Sequence, residues 1–419
     1  MFPGKRRFSL LRLFLLSTLS LTLLPPLIVS VILIIIDRRR KRHRPQGYFV
    51  SLRDQAPLMV GGEQNTEVQL YTYGEDLFTD MLRSIGQAQE RICLETFIWK
   101  NDYLGQQLKD ALIEAATRGV EVFVIYDAFA NLVVPPSFQR FASSTHVLRY
   151  SFLPALKHPF RLKSYARDHR KLLIIDGQTA FIGGYNLGEI YAKEWRDTHA
   201  RIVGVGALEV ENTFIDFWNA HKKLSQPFLP DRPQRSWDFH LHIRRNDPPM
   251  MIYPIRMTYL EAIDRATQHI YLTNAYFLPD RILLRALLSA ARRGVDVRIL
   301  VPAVSNHIVV DWLSHDYYEE CLRAGIHLLL YEGAMLHAKT ATIDGVWSTV
   351  GTANLDRLSM VGNFEVNVEI FDAGVARQME RIFLRDATYA RKLDLEQWRK
   401  RPWHWKISEK ALHQLRPFL

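Results

Sequence analysis

The chain has 419 residues and a formal net charge of +10, with 48% hydrophobic and 11% aromatic residues. This length exceeds one ordinary domain of roughly 100 to 200 residues, and the composition is that of a folded globular protein. The charge is concentrated, because residues 1–44 contain ten Lys and Arg against one acid, Asp37. The rest of the chain is close to neutral, which argues against non-specific nucleic-acid binding, and no nucleic-acid partner is expected.

An uncharged run of 24 residues, Leu13–Ile36, lies between the basic flanks of the N-terminal region. Roughly 20 apolar residues suffice to cross a bilayer as a helix, so we predict an N-terminal transmembrane anchor. A cleaved signal peptide is the alternative, but no small-residue cleavage site follows and six basic residues come directly after the run. Pro25 and Pro26 predict a kink within a single pass. More basic residues follow the span than precede it, which places the rest of the chain in the cytoplasm.

Two halves of the chain resemble each other. The recurring segments are RICLETFIWKND from Arg91 with HIYLTNAYFLPD from His269, and ATRGVEVFVIYD from Ala116 with ARRGVDVRILVP from Ala291. Each copy has the pattern of a helix, a strand, a second helix that ends near Gly119 or Gly294, and a buried strand. This alternation predicts two homologous α/β lobes with parallel-rich sheets.

A stretch rich in Pro, Arg and Asp without an apolar period, residues 222–250, is predicted to link the lobes, although FHLHI from Phe239 could add an edge strand. The predicted organisation is an anchor with basic flanks (1–44), a first lobe (67–221), the linker (222–250), a second lobe (251–393) and a C-terminal segment rich in Trp and basic residues (394–419). The composition of the last segment suits a membrane interface. Packing of its Trp side chains against the back of the second lobe is an equal alternative.

Each half contains the motif His-x-Lys-x4-Asp, and the two copies are separated by 168 residues. The same offset, without a gap, also aligns a glycine, an asparagine and an acid. The aligned pairs are His169 with His337, Lys171 with Lys339, Asp176 with Asp344, Gly183 with Gly351, Asn186 with Asn354, and Asp197 with Glu365. One such motif arises by chance in roughly a few of every hundred chains of this length, whereas two in register indicate a shared function.

These residue types suit phosphoryl transfer and require neither a metal ion nor another cofactor. Residues two apart on a strand face the same side, so each histidine is predicted to project with its lysine. Two lysines and two asparagine amides can hold a negatively charged phosphodiester, and histidine can act as nucleophile or as acid and base near neutral pH.

The motif acids and the distant acids are expected to differ in role. Asp197 and Glu365 each follow the histidine of their own half by 28 residues, and they are predicted to hold its far ring nitrogen, as the acid does in a catalytic triad. Asp176 and Asp344 complete the catalytic motif, but each precedes a glycine at a predicted hairpin. Turn formation is therefore their first predicted role.

From about Glu67 to the C-terminus the residues resemble the phospholipase D superfamily and, more narrowly, the bacterial cardiolipin synthases. The matching features are both His-Lys-Asp motifs, their Gly-Gly-x-Asn-Leu and Gly-Thr-x-Asn-Leu continuations, the triplet Asn363-Phe364-Glu365, and the run Tyr276-Phe277-x-Pro279-Asp280. The resemblance implies two pseudo-twofold-related α/β/α lobes with one active site between them, and a covalent phosphohistidine intermediate. It assigns the nucleophile to His169 and the general acid to His337, although the two could be exchanged. It also implies location in the bacterial inner (cell) membrane.

The chain departs from the family pattern at two points. Gly184 and Thr352 occupy the serine position of the family's Gly-Ser-x-Asn sequence, so the first half has no hydroxyl group there. Many members carry two N-terminal spans, whereas one is predicted here.

The predicted function is phosphatidyl transfer from phosphatidylglycerol to a second lipid alcohol, with release of glycerol and formation of cardiolipin. A phospholipase D hydrolase would use water as the acceptor, and no motif in the sequence separates the two. A nuclease is disfavoured by the near-neutral charge beyond residue 44, and a non-catalytic lipid-binding scaffold is disfavoured by the intact motifs. The expected partners are a phospholipid, with phosphatidylglycerol as the donor, and the membrane.

Overall fold

The computed structural model describes residues 24, 27–39, 55–61, 66–151, 165–232 and 240–412. Residues 27–39 are helical and form what we call the N-terminal helix. Most of the predicted anchor, Leu13–Ile36, lies outside the described residues. Within the part of the chain that is described, no helix is long and apolar enough to cross a membrane.

The first lobe contains an eight-stranded sheet with the order β1-β2-β9-β7-β6-β3-β4-β5. The strands of this region are β1 (Leu58–Val60), β2 (Thr66–Tyr71), β3 (Arg91–Thr96), β4 (Glu121–Asp127), β5 (Thr145–Tyr150), β6 (Leu172–Ile175), β7 (Thr179–Gly183), β8 (Trp195–Arg196) and β9 (His199–Val203). The helices are α1 (Gly74–Gln87), α2 (Tyr103–Thr117), α3 (Glu189–Lys193) and α4 (Val205–His221).

The second lobe contains another eight-stranded sheet, with the order β10-β19-β17-β16-β11-β13-β14-β20. The strands of this region are β10 (Leu241–Asn246), β11 (His269–Asn274), β12 (Phe277–Leu278), β13 (Asp296–Pro302), β14 (His327–Tyr331), β15 (Met335–Leu336), β16 (Lys339–Ile343), β17 (Trp347–Gly351), β18 (Leu355–Asp356), β19 (Glu365–Phe371) and β20 (Ala390–Lys392). Of these, β12 pairs with β18, and β15 pairs with β8, in two small two-stranded sheets. The helices are α5 (Pro254–Arg265), α6 (Arg281–Arg292), α7 (Ile308–Arg323), α8 (Arg357–Val361), α9 (Ala373–Ala387), α10 (Leu395–Arg399) and α11 (Trp403–Leu412).

The two sheets share one topology, so the sequence repeat corresponds to a structural repeat. In order across the sheet, β2, β9, β7, β6, β3, β4 and β5 correspond to β10, β19, β17, β16, β11, β13 and β14. Within the two large sheets, four strand pairs are parallel, namely β3 with β4, β4 with β5, β11 with β13, and β13 with β14. The prediction of parallel-rich sheets is therefore wrong. The hairpins that follow the crossovers add antiparallel strands and make both sheets mixed.

Each sheet is covered by helices on both faces, as expected for α/β/α lobes. Side chains of α1 and α2 pack on one face of the first sheet, and α4 packs on the other. The cluster that contains α4 continues into the second lobe through β19 and α9, and β7 lies against β17 and β19. The lobes thus share a hydrophobic core along the line where their sheets meet, and this core fixes their relative position.

Local sequence signals agree with the ends of the crossover helices. Asp102 begins α2, and its carboxylate accepts a hydrogen bond of 2.9 Å from the Gly105 amide. Gly119 and Gly294 follow α2 and α6 with φ of 95° and 92°, a left-handed conformation that favours glycine at a helix end. The predicted helix ends near these two glycines are confirmed.

The predicted linker and the C-terminal segment both contribute residues to the second lobe. Within the predicted linker 222–250, β10 pairs with β19 and forms an edge of the second sheet. In the C-terminal segment, Trp398 is buried in the core of the second lobe and Trp405 contacts Trp312, whereas Trp403 is exposed. Packing therefore accounts for Trp398 and Trp405 of this segment.

Candidate active site

The two motif histidines are each bound by an acid from the opposite lobe. His169 Nδ1 lies 2.9 Å from Glu365 Oε2, and His337 Nδ1 lies 2.6 Å from Asp197 Oδ2. The sequence spacing had paired each acid with the histidine of its own half, and that pairing is wrong. The pairing is exchanged because, where the two lobes meet, the first residue of each motif lies against the acid of the opposite lobe.

Backbone hydrogen bonds produce this exchange. The His169 amide donates to Phe364 O at 3.0 Å, and the His337 amide donates to Arg196 O at 2.7 Å. Each carbonyl belongs to the residue that precedes the acid. Because these amides bond to the other lobe, both histidines lie just before their own strands, β6 and β16, rather than on them as predicted.

The motif lysines are buried beside the histidines. Lys171 Nζ donates to His169 O at 2.7 Å, while Lys339 Nζ contacts His337 O and lies 2.9 Å from His337 Nδ1. Burial lowers the pKa of Lys171 to about 7 and that of Lys339 to about 8, and the nearby acids oppose the shift. Lys339 also lowers the pKa of Lys171, so the two halves converge on one positively charged site.

Burial also changes the acid–base behaviour of the histidines and their acids. It lowers the pKa of both His169 and His337 well below the usual value, and the two lysines lower it further. Burial raises the pKa of Asp197, and it raises that of Glu365 to about 8. These shifts favour the uncharged imidazole, which is the form that can attack phosphorus.

The two acids have different surroundings. Thr352 Oγ1 donates to Glu365 Oε2 at 2.5 Å, whereas the aligned residue in the first half is Gly184. A Cβ atom at Gly184 would lie 2.1 Å from Asp197 Oδ1. The glycine thus leaves the space that the Asp197 carboxylate occupies, which gives a physical reason for the missing hydroxyl group.

Asn186 and Asn354 lie three residues beyond the ends of β7 and β17, and both are buried. The side-chain oxygen of each accepts no hydrogen bond from any described residue. Buried amides usually have partners, so these two groups are suited to bind a polar substrate atom.

Asp176 and Asp344 lie in the hairpin turns, away from the histidines. Both adopt left-handed backbone conformations, with φ of 54° and 53°. Asp176 accepts hydrogen bonds of 2.8 to 2.9 Å from the amides of residues 89–91, and Asp344 accepts bonds of 2.7 to 2.9 Å from those of residues 267–269. Strands of this length separate them from the motif lysines by roughly 15 Å. Neither aspartate contacts His169 or His337, so both are placed to hold a turn.

Several residues at the site were not anticipated from the sequence. Arg196 is fully buried and binds Asp386 of the second lobe through bonds of 3.2 and 2.7 Å, which joins the lobes next to His337. Phe97 packs on His169 with ring centroids 4.7 Å apart, and Trp195 packs on His337 at 4.9 Å. Of these residues, only Arg196 had a signal in the sequence, namely its position next to Asp197.

The arrangement combines two held histidines, two cationic side chains and two amides in one buried place. This combination can stabilise a phosphoryl group while one histidine attacks and the other transfers a proton. Among the described residues, no group of three or more His, Cys, Asp and Glu side chains is arranged to hold a metal ion.

Residues 81–218 and 259–387 match the family described as cardiolipin synthase, PLD-like domain. The major cardiolipin synthase of Bacillus subtilis strain 168 is 34% identical over 367 residues, covering 85% of this chain and 76% of that protein. A cardiolipin synthase of Listeria welshimeri is 33% identical over 395 residues, covering 91% of this chain and 81% of that protein.

Solved structures share the fold at lower identity. Phosphatidylserine synthase of Haemophilus influenzae Rd KW20 superposes with a TM-score of 0.66 at 14% identity, over 88% of this chain and 96% of that one. Polyphosphate kinase of Porphyromonas gingivalis gives a TM-score of 0.54 at 15% identity, over 84% and 52% of the two chains. From the repeated fold, the matched residues and these relatives, the chain belongs to the cardiolipin synthase family, and it is an enzyme of the phospholipase D superfamily.

Proposed function

We propose that the enzyme transfers a phosphatidyl group from phosphatidylglycerol to the hydroxyl group of a second lipid, through a phosphohistidine on His169. The observation that carries this proposal is the crossed pairing, in which an acid holds Nδ1 of each histidine. A histidine held through Nδ1 presents Nε2 to the substrate. Two such groups on one phosphodiester suit a double displacement with a covalent intermediate.

In the first step, His169 Nε2 attacks the phosphorus atom and the bond from phosphorus to the glycerol oxygen breaks. His337, which carries a proton on Nε2 at the start of this step, gives that proton to the departing glycerol oxygen. Glu365 stabilises the positive charge that develops on His169, as the acid does in a catalytic triad. Lys171, Lys339 and the side-chain NH2 groups of Asn186 and Asn354 donate hydrogen bonds to the phosphoryl oxygens.

In the second step, the acceptor hydroxyl gives its proton to His337 while its oxygen attacks phosphorus. The bond between phosphorus and His169 breaks, and both histidines return to their starting forms. The same residue serves as acid and then as base, which retains one proton within the site. If the roles of His169 and His337 are exchanged, the two steps keep their order, with His337 as the nucleophile and His169 as the acid and then the base.

The substrate and the sequence pattern together support attachment to a membrane. Leu13–Ile36 is uncharged and long enough for one pass, and basic residues are more numerous after it than before it. We place the enzyme in the inner (cell) membrane of a bacterium as a single-pass protein, with the catalytic lobes in the cytoplasm. Phosphatidylglycerol is then available in the same bilayer.

The experiment supplies the purified full-length enzyme with labelled phosphatidylglycerol in mixed micelles and separates the lipid products by chromatography. Formation of cardiolipin with release of glycerol supports the proposal, and addition of a chelator is expected to leave the rate unchanged. Phosphatidic acid as the sole labelled product would instead identify water as the acceptor and a hydrolase as the function. A variant with both histidines replaced by alanine gives the background rate.

A further inference from the structure

A short apolar loop, residues 128–134, follows β4 beside the active site. Phe129, Leu132 and Val133 are exposed, and Val133 is 84% exposed. No charged residue occurs between residues 128 and 139. Three large apolar side chains exposed together on one loop form a candidate interaction surface.

The loop is held from beneath and is anchored next to His169. Asp127 is fully buried, and its carboxylate accepts hydrogen bonds from the Phe129 amide at 2.8 Å and the Asp168 amide at 3.1 Å. Asn131 is also buried, and its amide group donates to Phe97 O at 2.7 Å. Because Phe97 packs on His169, the exposed side chains project from a fixed base beside the nucleophile.

A second apolar surface lies on the other lobe, near the strand that corresponds to β4. β13 corresponds to β4, and α7 begins shortly after β13 ends. The N-terminal helix packs Leu33 against Ile308 and Leu313 of α7. The large side chains that this helix leaves exposed are Leu27, Ile28, Val31, Ile32, Ile34, Ile35 and Ile36.

The start of α7 lies near the active site. Tyr276 packs between His307, which precedes α7, and His337, with ring centroids 5.7 and 6.2 Å away. Apolar surfaces therefore flank the site on both lobes. Arg167 lies behind the loop, with its guanidinium 6.0 Å from the Phe129 ring.

We propose that Phe129, Leu132 and Val133 insert into the surface of an anionic lipid bilayer, on the side of the enzyme where the N-terminal helix lies. The inference rests on the proposed function for the identity of the substrate, since a phosphatidyl donor keeps its acyl chains in the bilayer. Docking of both lobes places the site over the headgroups, so the phosphodiester reaches His169 while its acyl chains stay in the membrane.

The test uses a fluorescent label on Val133→Cys in the full-length enzyme, reconstituted into vesicles of phosphatidylglycerol and phosphatidylcholine. Cys93 and Cys321 are buried, so the introduced thiol is labelled selectively. Val346→Cys is the matched control, because Val346 is also an exposed valine, 55% accessible, in the hairpin turn at the opposite end of the sheet. We expect nitroxide-labelled acyl chains to quench the label at 133 but not the label at 346. Equal quenching at both positions would overturn the proposal.

Activity supplies an independent readout. Replacing Leu132 and Val133 together by Glu is expected to lower transfer in vesicles about tenfold and to leave the rate on dispersed short-chain phosphatidylglycerol unchanged. Equal loss on both substrates would contradict docking and indicate damage to the site. Absence of transfer by the wild-type enzyme on either substrate would count against the proposed function, while quenching of the label would still report docking.

Discussion

The two histidine sites have the same backbone but different side chains. His337 is held by Asp197, next to a glycine, and Lys339 lies against its Nδ1 atom. His169 is held by the longer Glu365, which also accepts a hydrogen bond from Thr352. A repeated fold can therefore keep its geometry while each copy acquires a different electrostatic environment. This difference is what allows one histidine to attack and the other to transfer protons.

The largest expected effect separates the two histidines. On a phosphatidyl ester of p-nitrophenol, whose leaving group needs no proton, His169→Ala should lower the rate by at least about 10³-fold and give no burst of nitrophenolate. His337→Ala should be equally slow in turnover but should still release one equivalent in a burst, because the intermediate forms and then persists. Rapid-mixing absorbance measures the burst. If His169→Ala gave a burst and His337→Ala did not, His337 would be the nucleophile and His169 would transfer the proton.

The crossed acids provide the next test. Glu365→Gln should slow the burst about 10²-fold, and Asp197→Asn should keep the burst and slow the later turnover by a similar factor. Each acid then reproduces the defect of the histidine in the other half. The opposite result, in which Asp197→Asn removes the burst, would favour pairing within each half.

The pH dependence tests the two lysines. The pKa of Lys171 is about 7 and that of Lys339 about 8, so their positive charges are present below these values and lost above them. kcat/KM should fall about tenfold per unit as the pH rises through this window, because the phosphodiester loses its cationic partners. Lys171→Arg keeps its charge and should extend the plateau to higher pH. Lys222→Arg, a substitution away from the site, should leave the profile as it is.

A smaller effect is expected at Thr352. Thr352→Val removes the hydroxyl group that binds Glu365 and should slow the burst about fivefold, which corresponds to roughly 1 kcal/mol, the net contribution of a typical hydrogen bond. Thr349→Val is the control, because Thr349 donates to the backbone oxygen of Val368 at 2.9 Å. The control should lower only the melting temperature. Equal burst rates in the two variants would show that the Thr352 hydroxyl group does not contribute to the difference between the two histidine sites.

The smallest effect on activity is expected at the motif aspartates. Asp344→Asn keeps a residue that tolerates a left-handed backbone but loses hydrogen bonds from the Thr267 amide and hydroxyl. We expect kcat/KM within about twofold of the wild type and a free energy of unfolding lower by about 1 kcal/mol, measured by denaturant titration. Asp176→Asn should behave in the same way. A loss of activity as large as that of the histidine variants would show that these aspartates take part in the reaction.

Much of this arrangement follows from local sequence signals. The repeat predicted two α/β lobes, Gly119 and Gly294 predicted two helix ends, and the fixed offset aligned the residues that the structure brings together. Each of these signals depends on neighbouring residues or on a comparison of the two halves.

Relations between the lobes could not be predicted in this way. Both acids follow a histidine by the same 28 residues, so spacing alone favours pairing within a half. The exchange depends on the amides of His169 and His337, which bond to carbonyls of the opposite lobe. The buried pair of Arg196 and Asp386 depends on the same packing, since 190 residues separate the two in the sequence.

The crossed pairing also bears on how such a chain could have arisen. One half alone contains a histidine without its acid and an acid without its histidine, so neither half holds a complete site. Two copies of a single half, placed about a true twofold axis, would complete both pairs at once. After fusion of the copies, the residues of each half could change independently. The difference between Gly184 and the aligned Thr352 is a divergence of this kind.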